Sequence, residues 1–256
     1  MSRAGRWRML AMGVVLALAL CVSAAAEEVD EDALEERLTG EWYWKLHPDG
    51  YAIVTGTVYG VNRPLHYEKE EPLVMPAELD GYPVRAVGSM AFFMAPWADL
   101  ILPEGLTTIQ KRAFDETSIT SVYIPSTVTT IEHGAFSWST MPCFEVSEGN
   151  PHYQVIDDML ITTDGKDLIA HGAWGSDYTI VVPDGVETIG ENAFSCTGAS
   201  KIILPDGVKT IEDHAFSDRS IDVNIPASVQ SIGCGVLSRG NVTFDGLPQS
   251  VDAYSL

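Results

Sequence analysis

Several things are scarce in this chain of 256 residues, and each shortage removes a class of protein. It has 15 lysines and arginines against 36 aspartates and glutamates. Three of those arginines (Arg3, Arg6, Arg8) lie in a leader segment described below. Beyond residue 26 the count is 12 basic to 36 acidic, a net charge of −24. Such a surface repels phosphate backbones and anionic headgroups, so nucleic acid is excluded as a partner. Of the four cysteines, Cys143, Cys196 and Cys234 follow the leader at unrelated spacings. This is neither a disulfide framework nor a zinc pattern. The six histidines do not cluster, and no metal or cofactor is expected. There is no G-x-S-x-G, no H-E-x-x-H and no P-loop. Gly233-Cys-Gly235 begins a G-x-G, but without a strand-to-helix context it carries no weight.

The start of the chain predicts export. A basic opening is followed by an apolar run from Met9 to Val22, then by the small residues Ser23-Ala-Ala-Ala26 before Glu27. Those features describe a secretory signal peptide over residues 1–26. At 14 residues the run is too short to cross a hydrocarbon core of roughly 30 Å as a helix. Leu18-Ala-Leu-Cys21 offers a weaker alternative, lipid attachment at Cys21, against which the large Leu20 argues. Val251–Leu256 carries no hydrophobic tail, so no transmembrane span is expected once the leader is removed. A secreted or surface-associated monomer is the expectation.

What the sequence does have is a repeat. Prolines stand at 103, 125, 183, 205, 226 and 248, separated by 22, 58, 22, 21 and 22 residues. Three residues after the first five come Leu106, Val128, Val186, Val208 and Val229; six after come Ile109, Ile131, Ile189, Ile211 and Ile232. Ala-Phe pairs follow at 91–92, 113–114, 135–136, 193–194 and 215–216, with Val236-Leu237 in the next frame. Self-similarity at this period means a solenoid. The 58-residue gap equals one repeat plus one lengthened by 14 residues. Met141, Phe144 and Val146 take the strand positions there. The extra residues read as the hairpin Met159–Thr162, Asp-Gly turn, Asp167–Ala170.

Each repeat begins with a short strand such as Ser121–Ile124, in which Val122 and Ile124 point inward and Ser121 and Tyr123 outward. Proline, lacking an N–H, ends the strand, and a turn such as Asp206-Gly207 follows. Phe136 and Phe194 are expected inside. Roughly five buried side chains at about 1.5–3 kcal/mol each cannot order a lone repeat, whereas stacked neighbours can.

These residues carry a resemblance. Val122-Tyr-Ile-Pro-Ser-Thr-Val-Thr-Thr-Ile-Glu-His-Gly-Ala-Phe136 and Ile203-Leu-Pro-Asp-Gly-Val-Lys-Thr-Ile-Glu-Asp-His-Ala-Phe216 resemble BspA-like leucine-rich repeats. Gly50–Gly56 and Leu79–Val84 are similar to that family's entry hairpin and first repeat. The resemblance runs from about residue 50 to the end. It implies a leucine-rich repeat solenoid of short β-strands and turns, with irregular or 3-10 returns and one 14-residue β-hairpin insertion. It further implies a bacterial surface or secreted protein that binds macromolecules.

The expected organisation is a signal peptide (1–26), an acidic spacer (27–40), an N-terminal cap with entry hairpin (41–70), and a solenoid (71–256) closed by a truncated repeat. Trp42, Tyr43 and Trp44 are placed as a lid on the open end of the apolar column. Glu27 to Leu38 lacks the alternating acids of a calcium loop. The expected function is non-enzymatic recognition or adhesion, binding an unidentified protein or glycan across the outward strand residues. By the repeat frame these are Asp99, Ile101, Ser121, Tyr123, Cys143, Glu145, Thr179, Val181, Lys201, Ile203, Asp222 and Asn224. The alternative is an exported hydrolase of cell-wall or host glycan, which needs two carboxylates about 5–10 Å apart in a cleft. His133 and His214 read as occupants of one polar slot before the Ala-Phe pair, shared with Arg112 and Asn192. Glu132 and Glu212 share a variable exposed position, and Asp157, Asp158 and Asp164 read as turn formers. Cys143, on the outward face, is expected to be the most reactive thiol.

Overall fold

The computed structural model describes residues 29–58, 72–95, 99–139, 143–172, 175, 177–217, 221–236, 241–246 and 250–251. The leader therefore lies outside the described residues. Residues up to Leu34 form one unit and Glu35–Leu256 another. Within the first, a 3-10 turn spans Glu31–Ala33, begun by Asp30, whose carboxylate accepts the Asp32 amide at 3.2 Å.

The second unit opens with three antiparallel strands, Glu36–Thr39, Trp42–His47 and Tyr51–Thr57. The end of the expected spacer is thus an edge strand: Glu36 to Thr39 pairs with Lys45 to Trp42. The hairpin brings its tryptophans against the first coil. Trp42 and Trp44 are buried, and Trp42 meets Phe92 edge-on at 6.4 Å. Thr39 Oγ1 accepts the Trp44 indole N–H at 3.0 Å, so the ring is buried without an orphaned donor.

From there the chain winds as a β-solenoid of parallel ladders. One side carries the outward strands Leu73–Val74, Asp99–Ile101, Ser121–Ile124 and Cys143–Val146. The opposite side carries Tyr82–Val87, Thr108–Ile109 and Thr130–Ile131. Between them the Ala-Phe turns close each coil, and phenylalanines stack along the axis. Phe92 and Phe114 lie 5.2 Å apart, as do Phe114 and Phe136. Alanine before each ring lets neighbouring coils bond: Phe92 N–H donates to Ala113 O and Phe114 N–H to Ala135 O, both at 2.8 Å. The position two before each stacked phenylalanine has positive φ: Met90 (57°), Arg112 (60°), Gly134 (77°), Asn192 (55°) and His214 (55°), as has Gly235 (68°) at the same place in the next frame. His214 therefore shares a slot with Arg112 and Asn192, but His133 does not. It falls one residue earlier, beside Lys111, Glu191 and Asp213 in the frame.

The insertion is larger than a hairpin. Tyr153–Ile156, Met159–Thr162 and Asp167–His171 form a three-stranded antiparallel meander. Its first turn is Asp157-Asp158, both with positive φ. Met159, Leu160 and Ile161 are buried on both faces of their strand. Leu160 packs into the core of the preceding coils, while Met159 and Ile161 pack into the core of the following ones. The insertion is a septum between two hydrophobic columns. Its last strand starts the second stack, pairing in parallel with Thr188–Ile189, then Thr210–Ile211, Ser231–Ile232 and Ser250–Val251. His171 takes the phenylalanine slot there, its N–H donating to Ala193 O at 2.8 Å. Phe194 and Phe216 continue the stack 5.7 Å apart. The outward strands restart as Thr179–Val181, Lys201–Ile203, Asp222–Ile225 and Asn241–Phe244.

Candidate functional site

All twelve outward residues lie on the solvent side, exposed or half-buried, while their neighbours Leu100, Val122, Phe144, Ile180, Ile202 and Val223 are buried. They do not form one row. The septum divides them into two four-stranded ladders, because Cys143–Val146 ends the first and Thr179–Val181 begins the second. Along the first, Asp99, Ser121 and Cys143 align in one column, and Val74, Ile101, Tyr123 and Glu145 in the next. Along the second the columns are Thr179, Lys201, Asp222, Asn241 and Val181, Ile203, Asn224, Thr243.

Polar members of these columns tie to one another. Asp99 Oδ1 accepts from the Thr120 and Ser121 hydroxyls at 2.8 and 2.7 Å. Asn241 Nδ2 donates to Asp222 Oδ1 at 2.7 Å, and the Thr243 hydroxyl to Asn224 Oδ1 at 2.9 Å. The second column of each ladder also carries exposed aliphatics. Val74 is 60% exposed, Ile101 40%, Val181 59% and Ile203 43%. Aliphatic side chains recurring in one exposed slot form a feature that core packing does not require. Val74 escaped the sequence reading because it precedes Ile101 by 27 residues rather than 22.

A second locus lies where the two stacks meet. A cleft of about 490 Å³ is lined by Lys111, Glu132 and His133 of the first stack and by Glu191, Glu212 and Asp213 of the second. His133 Nδ1 bonds Glu212 Oε2, and Lys111 Nζ pairs with Glu191. Nearby, Asn192 Nδ2 donates to Ser137 Oγ at 3.1 Å and Trp138 N–H to Ser195 Oγ at 3.0 Å. The Glu212 hydrogen bond raises the His133 pKa against the pull of burial, helped by the charges of Glu212, Asp167 and Glu191. Burial works to raise Glu212, yet the His133 bond and charge, with the Glu191 amide and Lys111, bring it below the usual range. These partners lie 79 residues apart in sequence, so no local pattern announced them.

The cleft carboxylates are already engaged. Glu132 Oε2 accepts the Lys111 amide at 2.7 Å, Glu212 Oε2 the Glu191 amide at 3.1 Å, and Asp213 Oδ1 the Cys234 amide at 2.7 Å. Gln110 accepts the Ser89 amide at 2.8 Å from the same slot. Glu132 and Glu212 thus belong to a repeated bond that joins coil to coil. Asp164 accepts the Lys166 amide at 3.1 Å, as a turn former should. Among the described residues no group of three or more histidines, cysteines and acids is arranged to hold a metal ion. Cys143, Cys196 and Cys234 are half-buried thiols alike, so exposure does not single out Cys143. Burial, then the charges of Glu145, Asp99 and Asp158, push the Cys143 pKa up.

Parallel ladders, a septum and an outward strand face define the class, a leucine-rich repeat β-solenoid of about six turns. The model of the BspA type leucine rich repeat region matches in six copies over residues 80–150 and 176–253, more than half of the sequence. The chain belongs to that family. It is similar in fold to a leucine-rich repeat protein from Eubacterium ventriosum, with 18% identity and a TM-score of 0.51 over 84% of this chain and 72% of that one. Two other similar structures are a leucine rich cell surface protein from Faecalibacterium prausnitzii and the leucine rich repeat protein TpLRR of T. pallidum. The first has 16% identity and a TM-score of 0.43, covering 84% and 96% of the two chains. The second has 21% and 0.42, covering 79% and 88%. No curated protein matches this sequence. No helix among the described residues is long and apolar enough to cross a membrane.

Proposed function

We propose that the chain is an exported, non-enzymatic recognition module that binds a protein or glycan through its outward strand face. The observation that carries this reading is the repeated exposure of Val74, Ile101, Val181 and Ile203 in one slot of their coils. Burying four aliphatic side chains that are already about half covered offers roughly 0.5–1.5 kcal/mol from each, beside a rim able to hydrogen-bond. Export rests on the basic-apolar-small leader of residues 1–26. The acids of the junction cleft, bonded to protein amides and to Lys111 and His133, supply inter-coil bonds and not a poised acid/base pair.

The test is a binding panel of extracellular-matrix proteins and glycans with purified 27–256, in parallel with the Ile101→Ser, Val181→Ser double variant. Binding that the double variant loses while keeping its melting transition supports the reading. Turnover of any wall or mucin glycan, or binding indifferent to both substitutions, overturns it.

A further inference from the structure

Resting on the outward face as the binding surface, we propose that it docks a polypeptide presenting aliphatic side chains beside lysine or arginine. The exposed aliphatics stand two residues before a proline in Val74-Met-Pro76, Ile101-Leu-Pro103, Val181-Val-Pro183 and Ile203-Leu-Pro205. Those four prolines are half-buried, so each aliphatic column passes into a column of pyrrolidine rings. In each ladder the strip is apolar over two neighbouring coils, Val74 with Ile101 and Val181 with Ile203, before Tyr123 and Glu145 or Asn224 and Thr243 continue the column.

An acidic rim follows directly. After three of these prolines the next turn position holds Glu104, Asp184 and Asp206, and Glu148 takes it in the Cys143–Val146 coil, all exposed; Ala77, Ser126 and Ala227 fill it in the others. Glu104 is held along the stack by Ser126, whose amide and hydroxyl donate to its two oxygens at 3.3 and 3.0 Å. On the other side of the strip stand Asp99 and Asp222, with Lys201 as the cation of the face. Apolar columns bordered by carboxylates complement a partner whose aliphatic groups are flanked by cations, and they repel anionic polymers. Glycan recognition by ring stacking has few rings to use here: Tyr123 among the twelve outward residues and the partly exposed Phe244 on the last strand of the second ladder. The excess of acidic over basic residues adds a long-range field that draws a cationic partner in.

The probe is a short labelled peptide alternating leucine and lysine, read by fluorescence anisotropy at low and physiological ionic strength. A leucine–glutamate peptide and neutral mannan run beside it. The rim triple Glu104→Gln, Asp184→Asn, Asp206→Asn keeps residues that suit the turns and removes the charge. The control triple Asp49→Asn, Glu78→Gln, Glu116→Gln removes equal charge elsewhere. Melting curves verify that each variant folds. The rim triple and the Ile101→Ser, Val181→Ser variant should each weaken peptide binding by about tenfold or more, and the control by under about twofold. The affinity should fall with added salt. An equal loss in the control triple overturns the proposal, as does equal affinity for the leucine–glutamate peptide. Mannan binding that depends on Ile101 and Val181, without peptide binding, overturns the cationic partner but leaves face recognition standing. Peptide binding unchanged in both face variants overturns the two together.

Discussion

Phe194 is the most informative place to perturb the fold, because it reports packing and electrostatics together. Its side chain is fully buried, with His171 5.8 Å away on one side and Phe216 5.7 Å away on the other. Phe194→Ala removes a ring from a column that septum and neighbouring coils hold on both sides, so little can collapse into the space. Truncations of this kind cost about 3–5 kcal/mol, and each lost ring pair accounts for about 0.5–1.5 kcal/mol of that. Against a domain stability of about 5–15 kcal/mol, the variant should melt many degrees lower yet still fold. The second readout is His171. Burial pushes its pKa down to about 4, with the Asp158 charge pulling weakly the other way. Opening the column to water should move that pKa back toward 6.5, and Phe194→Leu should do so far less. Thermal unfolding and an NMR titration of the imidazole measure the two effects separately. A melting transition unmoved by Phe194→Ala, or a His171 pKa still near 4 in that variant, would refute the placement of both rings in one column.

The half-buried histidines His133 and His171 should give the wild type opposite pH dependences. His171 is depressed, so the unfolded chain binds more protons between about pH 4 and 6.5, and stability falls by roughly 3 kcal/mol as pH drops through that window. His133 is raised, so its contribution is complete below 6.5 and is lost as pH rises through its folded pKa. The Tm difference between wild type and His133→Gln should therefore shrink with rising pH, and a constant difference would sink the Glu212 pairing. Gly233→Ala should destabilise by about 1–3 kcal/mol, because a Cβ there would lie 2.6 Å from the Asp213 amide nitrogen and 2.8 Å from the Glu212 carbonyl carbon. An unchanged Tm would contradict that close approach. With its pKa raised, Cys143 should react with a thiol reagent more slowly than a model thiol at neutral pH and accelerate only in alkaline solution. Peptide mapping of the label, showing instead that Cys143 is modified first at neutral pH, would refute the burial and charge argument.

The period and the inward and outward sides of each strand were legible in the sequence alone. A solenoid coil meets only its neighbours, so one recurring frame dictates the contact of Phe114 with Phe136 as it does that of Phe194 with Phe216. Alternation inside Ser121–Ile124 or Asp222–Ile225 needs nothing beyond the pleat. Where the 14 extra residues dock, by contrast, is a tertiary matter. As a surface hairpin they would have left one continuous ladder. With apolar side chains on both faces they are more stable as a septum, and the outward row splits in two. The positive-φ slot was equally hidden, since Met90, Arg112, Asn192 and His214 fill it as well as glycine, and the last three each donate their amide to a carbonyl of the adjoining coil. His133 and Glu212 meet only because the septum brings turns of two stacks together. The columns of aliphatics, prolines and acids exist in the sequence as scattered residues about 22 apart, and parallel pairing is what makes them a surface.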